Sequence, residues 1–82
     1  MATTRKMIRR WLVNMKNQGY SHMIVAADTF DYSDYPIGVH AKDVHERLNH
    51  IRSAPMSRIM EVYDLNMDFE EQLNEHRAYN LP

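Results

Sequence analysis

The chain has 82 residues, is 44% hydrophobic, contains two glycines and carries a formal net charge of −1. That balance favours a folded globule over disorder and sets one domain, residues 1–82, with a modest core. Cysteine is absent, which excludes a disulfide framework and thiolate metal sites. No apolar run approaches the roughly 20 residues of a bilayer span, and no signal-like apolar core follows the N-terminal bases. The expected setting is the cytoplasm, with no membrane partner.

Charge is distributed unevenly. Arg5, Lys6, Arg9, Arg10 and Lys16 fall in the first 17 residues, which hold no acid. Glu61, Asp64, Asp68, Glu70, Glu71 and Glu75 fill a later stretch that holds no base. The two ends are expected to pair, within a chain or between subunits. A basic nucleic-acid footprint is the weaker reading, because the whole chain is not basic.

In chain order, Thr3 or Thr4 caps a predicted helix running to about Asn17. Ile8, Trp11, Leu12 and Met15 form its apolar stripe, and Gly19 follows as a C-cap glycine. A first strand covers about Ser21 to Asp28 and is apolar at both parities, as a central strand is. A second, about Pro36 to His40, starts with proline and is therefore an edge. A helix from near Ala41 to Ser53 carries Val44, Leu48 and Ile51 on one stripe and ends at Ala54-Pro55.

A third strand spans Arg58 to Leu65. Met60 and Val62 are expected to face the helices, with Ile59, Glu61, Tyr63 and Leu65 on the other side. A last helix starts at Asp68, spaced from Glu71 as in a capping box, with Phe69, Leu73 and His76 inward and a frayed end at Tyr79 to Pro82. The result is an α+β fold, element order α-β-β-α-β-α, with an antiparallel sheet ordered 2-1-3 and helices on one face. Such a sheet leaves a face open, carrying Ile24, Ile59, Tyr63 and Leu65. That face makes a homo-oligomer the expectation.

The segment from Asp28 to Pro36 joins the first two strands. It holds three carboxylates (Asp28, Asp31, Asp34), three rings (Phe30, Tyr32, Tyr35) and no base. The aspartates suit turn chemistry. Their spacing matches no calcium loop. The rings are either interface anchors or a cover over the core, and Phe30 alone is expected to pack inward. The histidines are scattered and form no HExxH pattern, and no phosphate loop or nucleophile elbow occurs. No catalytic, metal or cofactor residue is therefore assigned. The methionines, Met56 and Met60 among them, read as core filler.

The tracts HMIVAADTFDYSDYPIGV and RIMEVYDLNMDFEEQLNEHRAYN resemble a group of short bacteriophage and bacterial proteins sharing a DTFDYxDYP hairpin and an MEVYDL strand. This chain departs from the group at Ala27, where the group has cysteine, and at Gly38, where it has a bulkier residue. No thiol role carries over. The resemblance implies a small phage-type accessory protein, acting by stoichiometric binding against a host factor as a host-defence antagonist or inhibitor. It assigns no chemistry.

Three functions follow as expectations. The first is a non-enzymatic binding protein contacting a host protein through Asp31, Tyr32, Asp34 and Tyr35, with Asp28 at the base of the loop and the C-terminal helix alongside. The second is an oligomeric sponge for a nucleotide-like signal, with phosphates held by Arg5, Arg9, Arg10 or Arg77 and a base stacked on Tyr63 or Tyr32. The third is a metal-dependent hydrolase using Asp28, Asp31 and Glu61.

Overall fold

The computed structural model describes residues 3–75 and 77–82. Helix α1 runs Arg5–Asn17, strand β1 His22–Asp28 and strand β2 Ser33–Val39. A 3-10 turn over Ala41–Asp43 leads into α2, Val44–Ser53, followed by β3, Ser57–Asp64, and a short α3, Phe69–Leu73. The order is α-β-β-α-β-α, and the antiparallel sheet is ordered β2-β1-β3.

Local chemistry sets the boundaries. The Thr4 side chain accepts from the Met7 amide and caps α1, and Gly19 takes φ 89° just past its end. Asp68 caps α3 by accepting from the Glu71 amide. Ala54, before Pro55, turns extended and closes α2.

Helices cover both faces of the sheet, which corrects the expectation of one clad face. On one side, Met23 and Val25 of β1 with Tyr63 and Leu65 pack against Ile8 and Leu12 of α1, Leu73 of α3 and Ala78. On the other, Ile24 of β1, Val39 of β2 and Val62 of β3 pack against Val44, Leu48 and Ile51 of α2. Strand alternation separates these two sets. Ile24, Tyr63 and Leu65, expected on an open face, are buried. The sheet therefore presents no open apolar face of these residues to a second copy.

One irregularity tunes β3. Its register against β1 shifts between Val25, paired with Glu61, and Ala26, paired with Ile59. Met60 is the extra residue of a bulge and packs with the α1 side instead of the α2 side.

The C-terminal segment is docked, not frayed. The Val62 amide donates to the Ala78 carbonyl (3.0 Å) and the Asn80 amide to the Val62 carbonyl (2.9 Å), making a short parallel bridge outside β3. Nearer α3, the fully buried Gln72 carboxamide accepts from the Asp64 amide and donates to the Asp64 carbonyl, both at 2.8 Å. The Arg77 side chain donates to the carbonyls of Met60 (2.7 Å) and Ile59 (2.8 Å). Together these satisfy the outer edge of β3, so β2 is left as the free edge, with Pro36 within it.

The charged ends meet as expected. Arg9 forks onto Glu70 (2.6 and 2.7 Å), and Arg5 donates to the Leu73 carbonyl (2.7 Å) at the end of α3. His76, expected on the inner stripe of α3, lies outside the described residues.

Candidate functional site

The hairpin tip is shorter than its sequence implies. Ser33, Asp34, Tyr35 and Pro36 belong to β2 and pair with Asp28, Ala27, Ala26 and Val25. Pro36 is tolerated because β2 is an edge. Only Thr29, Phe30, Asp31 and Tyr32 remain as loop. An Asp28 carboxylate oxygen accepts from the Phe30 amide (2.8 Å), an Asx turn that fixes the start of the loop. Tyr32 closes it at φ 55°, in the left-handed region that a bulky residue enters at a cost.

The tip is braced from below. The Thr29 amide donates to the Met56 carbonyl (2.8 Å), tying the hairpin to the connection between α2 and β3. Met56 itself sits at φ 63°. Phe30 is 71% exposed, Tyr32 81% and Met56 53%. Two expectations are corrected here: Phe30 does not fold over the core, and Met56 is not core filler. Tyr35 is partly exposed and faces the α2 side, in a groove it shares with Ile37, His50, Ile51 and Ala54. Asp31 is exposed and Asp34 half-buried.

Other expected site residues are placed elsewhere. Tyr63 is 1% exposed, and its hydroxyl donates to Glu61 (3.0 Å). It cannot stack on a base. Burial, reinforced by the Glu61 carboxylate, pushes its hydroxyl far above the usual phenol range. Arg5 and Arg9 are engaged with α3, so the phosphate role drawn for them loses its free guanidinium groups. The Glu70 bond holds Arg9 further in its charged form, and the Arg9 bond keeps Glu70 below the usual carboxylate range. Helix α3 packs on α1 and follows the far end of β3, so it does not flank the tip.

The described residues contain no group of three His, Asp or Glu side chains placed to hold a metal ion. Asp28, Asp31 and Glu61 are thus not brought together for hydrolytic chemistry. At the far end of the sheet, Ser21 Oγ lies 3.0 Å from His22 Nδ1, and His22 Nε2 lies 3.8 Å from Asp64. This has the order of a nucleophile, base and orienter. Yet the Asp64 contact is too long for a hydrogen bond, and Nε2 is buried without a partner. The arrangement is part of the strand ends.

Sequence reasoning missed a recess beside the tip end of β3. It has a volume of about 580 Å³ and is lined by Arg52, Ser57, Arg58, Ile59, Arg77 and Tyr79. These residues come from α2, β3 and the C-terminal segment, and no spacing in the sequence links them. A second recess of about 570 Å³ lies along α2 and β2 and mixes Asp43 and Glu46 with Arg47 and two histidines.

No protein-family model, curated protein or solved structure matches the chain. No described helix is long and apolar enough to cross a membrane.

Proposed function

We propose that this chain is a non-enzymatic binding protein that engages a protein partner through its hairpin tip. The observation that carries the reading is the pair of rings, Phe30 and Tyr32, held largely in solvent on a loop that the fold braces. A ring of this kind buries about 150–250 Å² on docking and loses little rotamer freedom. Bracing lowers the ordering cost of association. Asp31, next to both rings, and Asp34, at the base of the tip, add negative charge, so the complementary surface on the partner is apolar with a basic rim.

The resemblance to phage accessory proteins points the proposal toward a host factor captured stoichiometrically, with the chain acting as an antagonist of it. The test replaces Tyr32 and Tyr35 by alanine and measures capture of the partner from a bacterial lysate. Retained capture by a folded double variant would remove the tip from the mechanism. The Tyr32 replacement alone is expected to weaken binding about 30-fold, the size of a hot-spot loss of roughly 2 kcal/mol.

A further inference from the structure

We infer that the recess formed by Arg52, Arg58, Arg77 and Tyr79 is a binding site for the phosphoryl group of a small organic phosphate of nucleotide size. It is separate from the protein-binding tip, and neither proposal depends on the other.

Three guanidinium groups line this one recess, and no carboxylate lines it. Among the described residues the ion pairs are Arg9 with Glu70 and His22 with Asp64, so none of the three arginines is neutralised within the chain. Glu61 lies in the adjoining groove, which Arg58 and Arg77 also line, and its carboxylate accepts from the Tyr63 hydroxyl. A protein of net charge −1 thus concentrates positive potential at one place. Holding like charges together without an anion is unfavourable, and an oxyanion relieves it.

Two of the groups are positioned in advance. Arg77 donates from Nε to the Met60 carbonyl and from one Nη to the Ile59 carbonyl, which fixes the plane of its guanidinium; its other N–H groups have no hydrogen-bond partner among the described residues. Arg52 is held by the Tyr79 hydroxyl. Arg58 makes no such internal bond among the described residues and is free to close on a ligand. Guanidinium groups arriving from three separate elements suit a multiply charged tetrahedral phosphoryl group better than a single planar carboxylate.

The remaining walls suit an organic body. Tyr79 is partly exposed, with Arg77 over its ring at 6.0 Å, and Ile59 adds an apolar surface. A volume of about 580 Å³ falls in the range of small-molecule sites.

The test is calorimetric titration of the full chain at low salt with inorganic pyrophosphate, adenosine monophosphate and adenosine. The first two are expected to bind and to raise the melting temperature, and adenosine to do neither. Arg58→Gln, which breaks no internal bond, is expected to weaken both phosphates about tenfold or more. Lys42→Gln, at the opposite end of the sheet, is expected to leave them unchanged. Arg52→Gln is the second variant should Arg58→Gln fail to fold. Absence of phosphate binding, adenosine binding equal to that of the monophosphate, or phosphate binding indifferent to the recess variants would each overturn the assignment.

Discussion

The Thr29 amide donates to the Met56 carbonyl at 2.8 Å, and this bond joins two segments 27 positions apart at the exposed end of the sheet. Each segment contains one non-glycine residue in the left-handed region, Tyr32 at φ 55° and Met56 at φ 63°. Bulky residues there cost about 1–2 kcal/mol each. The tip therefore keeps exposed apolar side chains on backbone positions that would suit glycine better.

This separates binding from stability at Tyr32. Tyr32→Gly relieves the backbone conformation and removes a ring that buries almost nothing. Its melting temperature is expected to stay level or rise, while partner binding is lost. Tyr32→Ala keeps the strain and is expected to lose binding with stability little changed. Paired thermal melts and capture assays on the two variants check this.

Gln72 supports the edge of β3. Gln72→Leu removes a buried carboxamide and takes away the acceptor of the Asp64 amide; the Asp64 carbonyl keeps the Met67 amide (3.2 Å), and Asn80 Nδ2 keeps only a long contact to Glu75 (3.5 Å). The expected loss is roughly 1–3 kcal/mol, measured by urea denaturation. Gln72→Glu is expected to be comparably damaging, because a carboxylate cannot donate to the Asp64 carbonyl.

At Gly38 a Cβ would run into the Tyr20 ring and lie 2.8 Å from the Met15 sulfur. Gly38→Ala is expected to cost roughly 1–3 kcal/mol by overpacking. The cost should shrink in a Tyr20→Ala background, because the ring that must move is gone. A double-mutant cycle reads the difference.

Tyr63 governs the alkaline limit. Its hydroxyl pKa is raised in the folded state, so the folded chain holds that proton more tightly than the unfolded chain. The stabilisation is complete below the ordinary phenol value of 10.0 and is lost as pH rises above it. In absorbance titration, one of the five tyrosines is expected to ionise only with unfolding. Tyr63→Phe should flatten the loss of stability on the alkaline side.

Much of the fold was legible in local signals. Thr4, Gly19, Pro55 and Asp68 mark helix ends for reasons confined to a few residues. The apolar content of β1 at both parities also placed it in the centre. That same pattern implied cover on both faces, which the one-sided arrangement ignored. Tyr63 and Leu65 accordingly belong to the core under α1 and not to an exposed surface. Within the tip, ring and carboxylate content pointed to the exposed loop, but nothing local could reveal the Thr29–Met56 bond. The arginine recess was invisible for a stronger reason. Arg52, Arg58 and Arg77 meet only because the C-terminal segment returns along β3.

The most direct test of the central claim is site-specific photo-crosslinking in a bacterial lysate, with a photoreactive residue at position 32 and a control at position 42. The account predicts one discrete protein adduct from position 32 that is absent from position 42. No adduct from position 32, or the same adducts from both positions, would contradict it.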